Sequence, residues 1–99
     1  MKFLVTVTPR PLQAPPPAVI ETAAAWINAR LKDKTFDCCY SFIAGGGFSI
    51  TNADSTEAVL KLVLSYPAYP FVDFKVDALC DINVAFDEVK AMTQRMAAG

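Results

Sequence analysis

Three charged side chains alternate along one short segment of the chain, and they are the residues best placed to move a proton. Asp73, Lys75 and Asp77 occupy every second position of a stretch whose other positions are apolar. In a β-strand these side chains point to one face, and successive members lie about 7 Å apart. A dehydrated Asp73 beside Lys75 is a candidate proton acceptor. A strand with one face in water shows the same alternation, so both interpretations stay open.

Aromatic residues with a polar atom form the second candidate group. Tyr66 and Tyr69 flank a turn that contains Pro67, and Tyr40 lies in an aromatic, β-rich run. Such side chains can wall a pocket and orient a carbonyl-bearing ligand through one hydrogen bond. Trp26 lies beside the apolar stripe of the first predicted helix. Packing of the turn over the sheet edge explains the tyrosines equally well.

Several chemistries are excluded by the residues that the sequence lacks. The chain contains no histidine, so its serines have no base to activate them, and a serine hydrolase is excluded. Cys38, Cys39 and Cys80 lack metal-ligand spacing, and adjacent strand residues point to opposite faces. We therefore expect free thiols and no metal site. The glycines at 45–47 join two predicted strands, which indicates a hairpin turn rather than a phosphate loop.

Hydrophobic periodicity predicts seven elements in the order β-α-β-β-α-β-α. Five of the seven prolines lie between positions 9 and 17, which predicts an extended connection after the first strand. Asp54 and Glu57 have the spacing of a helix-capping pair, and Pro67 is expected to end the helix that follows. The predicted strands span 3–7, 36–43, 48–52 and 71–78, and the predicted helices span 18–32, 55–66 and 82–96.

This order of elements predicts an α+β, ferredoxin-like βαββαβ unit with an added C-terminal helix. The 99 residues are expected to form one domain, residues 1–99. Both helices of the unit pack on one sheet face and leave the other uncovered. Because 54% of the residues are hydrophobic, a chain this small has little interior in which to bury them, and we expect a homo-oligomer.

Charge and hydropathy exclude two further classes of partner. The net charge is −1, and the chain has no cluster of basic residues, so we expect no nucleic-acid partner. No apolar run approaches the roughly 18 residues of a membrane span. The N-terminal segment lacks the long apolar region and cleavage site of a signal peptide. We therefore expect no membrane partner and a cytoplasmic location.

The segment 64–80 resembles the signature of the muconolactone isomerase-like family, in which a helix passes through a turn with two prolines into an alternating strand. Weaker similarity extends over most of the chain, including 3–7, 43–45, 48–50 and 54–57. The resemblance implies a dimeric α/β barrel, in which two sheets pack face to face. It also implies cofactor-independent isomerisation of an unsaturated lactone that bears a carboxylate. The matching positions are Tyr66, Pro67, Tyr69, Pro70, Phe71, Asp73, Phe74, Val76 and Leu79.

Three positions depart from the family pattern. Phe42 stands where the family has an arginine, and residues 81–83 read Asp-Ile-Asn where it has His-Pro-Ser. The family's acidic residue in the middle of the first helix is replaced near Trp26, which leaves only Glu21 upstream. Without this arginine and this acidic residue, a carboxylate-bearing lactone fits the chain poorly.

The leading hypothesis is a muconolactone isomerase-like isomerase or cyclase that acts by proton transfer on a small, less charged carbonyl compound. Asp73, Tyr69 and Lys75 are its predicted catalytic residues. A competing hypothesis is a non-catalytic small-molecule-binding or assembly module, and authentic muconolactone isomerase is the third. A mostly apolar pocket is predicted, with no cofactor, and its predicted lining residues are Tyr40, Phe42, Ser49, Tyr66 and Trp26.

Overall fold

The chain folds around one four-stranded antiparallel sheet, and the computed structural model describes residues 1–98 of it. The strands lie in the spatial order β2-β3-β1-β4. This is the ferredoxin-like α+β arrangement with an added C-terminal helix, so the predicted fold class is confirmed. The elements are β1 (Lys2–Pro9), α1 (Pro17–Lys32), β2 (Phe36–Ser41), β3 (Gly47–Asn52), α2 (Thr56–Leu64), a 3-10 turn (Tyr69–Phe71), β4 (Val72–Leu79) and α3 (Ile82–Ala98).

Strand register decides which side chains lie under the helices. In β1, Phe3 pairs with Thr51 of β3, and Val5 pairs with Ser49. Because partners in register share a face, these four residues lie on one side of the sheet, and all of them are buried. Val59 of α2 packs against Phe3 and Val5 to form the core. We call this side the helix-covered face.

On the opposite side of the sheet, which we call the uncovered face, none of the described strand residues is buried. Lys75 and Asp77 of β4 lie on it, opposite Thr6 and Leu4 in the register of β1 and β4. Tyr40 pairs with Phe48 on the same face and is 64% exposed. As the alternation in the sequence indicates, the charged residues of β4 lie on the uncovered face and its apolar residues lie on the helix-covered face.

No side chain of helix α3 is buried against the rest of the structure. The Cα radius of gyration is 17.4 Å, with extents of 61 × 30 × 24 Å. A compact domain of about 100 residues has a radius of gyration near 13 Å. The larger value here is consistent with α3 extending away from the rest of the structure. Asp81 begins α3, because its carboxylate Oδ2 accepts hydrogen bonds from the backbone N–H groups of Asn83 at 2.9 Å and Val84 at 3.3 Å.

Two predicted boundaries are corrected by local hydrogen bonding. The N-cap of α2 is Ser55 rather than Asp54, since the Ser55 hydroxyl accepts the Ala58 N–H at 3.2 Å. Strand β2 ends at Ser41 instead of at position 43. There the chain turns back, and the Phe42 N–H donates to the Gly46 carbonyl at 2.9 Å.

Candidate functional site

A pocket of about 420 Å³ lies between the helix-covered face and helices α1 and α2. No Asp, Glu, Lys or Arg is among the residues that line it within the described chain, residues 1–98. The strands supply its floor and the two helices supply its roof. Much of its wall is aromatic, through Trp26, Phe36, Tyr66, Phe71 and Phe74.

The aromatic wall is a connected set of ring contacts. The Trp26 ring lies 5.8 Å from Phe36 and 5.5 Å from Tyr66, both measured between ring centroids. Tyr66 meets Phe74 edge to face at 6.0 Å. The Arg30 guanidinium lies 5.7 Å from the centroid of the Trp26 ring, at cation–π distance. These rings are inclined to one another by 58–85°, and they form a packed aromatic wall that suits an apolar ligand.

Polar atoms reach this apolar pocket from β2, from β3 and from the segment that follows α2. Ser49 and Thr51 are buried on β3, and their hydroxyl oxygens are 2.9 Å apart. Burial, together with nearby Cys38, raises the pKa of the Cys39 thiol. Burial and nearby Cys39 raise the pKa of the Tyr66 phenol in the same way. Both groups therefore keep their protons at neutral pH and act as hydrogen-bond donors rather than bases.

Asp73, Lys75 and Tyr69, the predicted catalytic group, lie outside this pocket. Asp73 is 65% exposed, and its carboxylate accepts a hydrogen bond from Arg10 Nε at 3.0 Å. Lys75 Nζ lies 3.8 Å from the Asp77 carboxylate on the uncovered face. Tyr69 stacks on Phe74 with ring centroids 5.9 Å apart. Asp73 is thus paired with Arg10, and Lys75 is paired with Asp77. The catalytic role of the three predicted residues stays a prediction.

Four of the five predicted lining residues border the pocket: Trp26, Tyr40, Ser49 and Tyr66. Tyr40 does so at the sheet edge, where its ring packs 6.0 Å from that of Phe48. Phe42 is not among the lining residues, because the chain has already turned out of β2 at this position. Its ring instead packs 5.7 Å from Phe48.

Cys39 and Thr51 were missed by sequence reasoning, for different reasons. Strict alternation along β2 puts Phe36 with Cys38, but a register shift between these two residues brings Phe36 and Cys39 to the same face. Nothing in the sequence marks that shift. Thr51 could have been found, since it lies two residues after Ser49 and must share its face.

Within residues 1–98 there is neither a cluster of metal-ligating side chains nor a helix able to span a membrane. Within residues 1–98, no group of three or more His, Cys, Asp or Glu side chains could hold a metal ion. In the same part of the chain, every helix is too short or too polar to cross a membrane.

Comparison with known proteins finds similarity at the level of solved structures. No family model matches the sequence, and no curated protein matches it. The crystal structure of muconolactone isomerase at 3.3 Å resolution superimposes with a TM-score of 0.63 and 25% identity, over 82% of this chain and 90% of that chain. The 5-chloro-2-hydroxyhydroquinone dehydrochlorinase (TftG) from Burkholderia phenoliruptrix AC1100, in complex with 2,5-dihydroxybenzoquinone, gives a TM-score of 0.64. Its identity is 20%, over 81% of this chain and 94% of that chain.

The alignments thus cover nearly the whole length of both solved structures. The segment that carries the family resemblance in the sequence, 64–80, forms the end of α2, the 3-10 turn and β4. The chain therefore has a muconolactone isomerase-like fold.

Proposed function

We propose that this chain takes a small, uncharged, unsaturated carbonyl compound into the pocket under α1 and α2 and isomerises it by proton transfer without a cofactor. The observation that carries the ligand class is the pocket itself, which is aromatic-walled and uncharged. A carboxylate transferred into it would lose its hydration without gaining a cation, which is strongly unfavourable. An uncharged carbonyl needs only one hydrogen-bond donor.

The reaction class is supported by the structural neighbours, one a muconolactone isomerase and the other a dehydrochlorinase bound to a quinone. A shift of a double bond next to a carbonyl places negative charge on the carbonyl oxygen. The protonated Tyr66 phenol and Cys39 thiol are among the pocket groups able to donate a hydrogen bond to that oxygen. The predicted proton acceptor, Asp73, lies outside this pocket, so the pocket of one chain offers donors for the carbonyl oxygen and leaves the base unassigned.

A second candidate function, a non-catalytic binding module, is favoured by one specific observation. Within residues 1–98, the groups that line the pocket include no carboxylate and no imidazole, so the pocket of a single chain supplies no obvious base. Such a module would bind the same class of compound without changing it.

One experiment separates the two candidates. Trp26 is the only tryptophan in the chain and lines the pocket, so its fluorescence reports occupancy. We expect angelica lactone, an unsaturated lactone with a methyl group, to bind, and muconolactone, its counterpart with a carboxylate, to bind weakly or not at all. Preferential binding of muconolactone would overturn the ligand class.

Turnover is then followed by proton NMR in heavy water. Isomerisation of α-angelica lactone to the β isomer removes a proton from the carbon next to the carbonyl and adds one to the ring carbon that bears the methyl group, so in heavy water deuterium appears at that ring carbon. Asp73→Asn tests the predicted proton acceptor: the Trp26 fluorescence titration should stay unchanged, and turnover that also stays unchanged would remove Asp73 from the mechanism. Wild-type protein that binds the lactone without exchange or conversion supports the binding module and rejects the isomerase.

Self-association through the uncovered face and α3 is part of the same proposal. Phe86 and Val89 of α3 are 63% and 54% exposed, and their spacing puts them on one stripe of the helix. A second copy of the chain is the proposed cover, as in the dimeric α/β barrel that the resemblance implies. In light scattering, Phe86→Glu is expected to lower the measured mass, whereas Lys90→Glu, off the stripe, is not. A monomeric wild type would refute this part of the proposal.

A further inference from the structure

The hydroxyl pair of Ser49 and Thr51 is the most deeply buried polar feature of the pocket. Ser49 is 6% exposed and Thr51 is 0% exposed, and both line the pocket floor on β3. Their oxygens are 2.9 Å apart, and either hydroxyl is able to donate in this hydrogen bond. No other hydrogen bond of either hydroxyl is found within residues 1–98.

One of the two hydroxyl protons in this pair has no hydrogen-bond acceptor within the described chain. Two hydroxyls carry two protons, and the hydrogen bond between them uses one. Whichever oxygen accepts that bond still has its own O–H, and this O–H has no acceptor in the described chain. A donor buried without a partner is unfavourable, and buried donors in folded proteins nearly always have one.

The other serine at this end of the pocket shows the contrast. The Ser41 hydroxyl lies 3.1 Å from the Gly46 carbonyl and 3.3 Å from the Phe42 carbonyl, so its proton has acceptors within the hairpin. The Ser41 hydroxyl therefore needs no hydrogen-bond acceptor from a ligand.

Because Thr51 has no exposed surface and Ser49 has some, we propose that Thr51 donates to Ser49 and that the free O–H of Ser49 donates to the carbonyl oxygen of the bound ligand, which fixes that oxygen at the pocket floor. This inference rests on the proposed function and adds to it the position and the recognition of the carbonyl. A hydroxyl that accepts a hydrogen bond becomes a better donor, so the pair acts as a polarised chain. The ring of the ligand then lies along the aromatic wall formed with Trp26 and Tyr66.

The test uses two uncharged probes of nearly equal shape. 1-Tetralone has a conjugated carbonyl and does not alkylate thiols, and tetralin is the matching hydrocarbon. Their affinities are measured by calorimetry for wild-type protein and for the double variant Ser49→Ala, Thr51→Val. We expect the ratio of tetralone to tetralin affinity to fall roughly 2- to 10-fold in the double variant, the value of one neutral hydrogen bond.

Thr6→Val is the matched control, because Thr6 lies on the uncovered face of the same sheet and the change is chemically identical to Thr51→Val. It should leave the ratio unchanged. A ratio that is also unchanged in the double variant would overturn the inference while pocket binding stands. Failure of both probes to bind wild-type protein would instead overturn the proposed function and the inference with it.

A spectroscopic measurement on wild-type protein keeps the inference testable if the double variant does not fold. The carbonyl of 1-tetralone is labelled with carbon-13, and its bound resonance is compared with the resonance in cyclohexane. A hydrogen-bonded carbonyl resonates downfield of the cyclohexane value. A bound resonance at the cyclohexane value shows that no donor reaches the oxygen, and it refutes the assignment.

Discussion

Gly46 lies at the edge of the pocket, and replacing it with alanine should destabilise the fold there. It lies in the β2–β3 turn with φ +80°, in the left-handed region that favours glycine. A Cβ added here would lie 2.2 Å from the Val7 carbonyl oxygen of β1. Real Cβ atoms stay at least 3.0 Å from such atoms, so the turn must move away from β1 by about 0.8 Å.

Gly45, the preceding residue, supplies the matched control. It also has positive φ, at +109°, but an added Cβ would meet only the Pro9 side chain, at 3.8 Å. Both substitutions to alanine impose backbone strain of roughly 1–3 kcal/mol. Only Gly46→Ala also clashes with backbone and strains the hydrogen bond from the Phe42 N–H to the Gly46 carbonyl. Disturbing that bond adds about 1–3 kcal/mol.

The expected result is that Gly46→Ala lowers the free energy of unfolding by about 1–3 kcal/mol more than Gly45→Ala does. Urea unfolding followed by Trp26 fluorescence measures this difference, with both variants at one protein concentration because self-association stabilises the folded state. Equal destabilisation by the two substitutions would refute the account of the turn. It would mean that strain at positive φ, and not contact with β1, governs this hairpin.

Three further outcomes follow from local contacts. Ser55→Ala should lower the free energy of unfolding by about 1 kcal/mol in urea titration, whereas Asp54→Ala, one residue outside the cap, should change it little. Because burial raises the pKa of the Cys39 thiol above its ordinary 9.0, its stabilising contribution is fully present below pH 9.0 and is lost as the pH rises through the folded-state value. Unfolding of Cys39→Ala at alkaline pH should show a smaller loss, and an identical loss would contradict this. Hydrogen bonds from Lys2, and then from Asn52, lower the pKa of Asp37 below its ordinary 3.8. That stabilisation is present above pH 3.8 and is lost as the pH falls, so acid unfolding of Asp37→Asn should lack this component.

The fold was accessible to sequence reasoning because its signals are local. Apolar residues at helical spacing mark α1 and α3, and alternation marks β4, so the order of elements and the sheet follow from periodicity. The cap of α2 was placed one residue early, at Asp54, because Asp54 and Ser55 are both good capping residues and only backbone geometry selects between them.

The pocket was less accessible because its composition depends on tertiary structure. Sequence reasoning looked for charged residues and found Asp73, whose partner Arg10 comes from a position 63 residues away. The groups that meet inside the pocket are uncharged, and Cys39 reaches it only through the register shift in β2. An unsatisfied proton on a hydroxyl pair is a property of two side chains in three dimensions, and no spacing rule reveals it.

Two observations bear on the charge of the proposed ligand. The sequence has Phe42 where the family carries an arginine, and the middle of α1 near Trp26 lacks the family's acidic residue. The structure separately shows a pocket, within residues 1–98, whose lining contains no charged side chain. Because Phe42 lies outside the pocket, the uncharged lining and not this position carries the inference of an uncharged ligand. A ligand with a carboxylate would therefore need a cation that neither the sequence pattern nor the pocket supplies. An uncharged carbonyl compound needs one donor, and the pair formed by Ser49 and Thr51 has one to give.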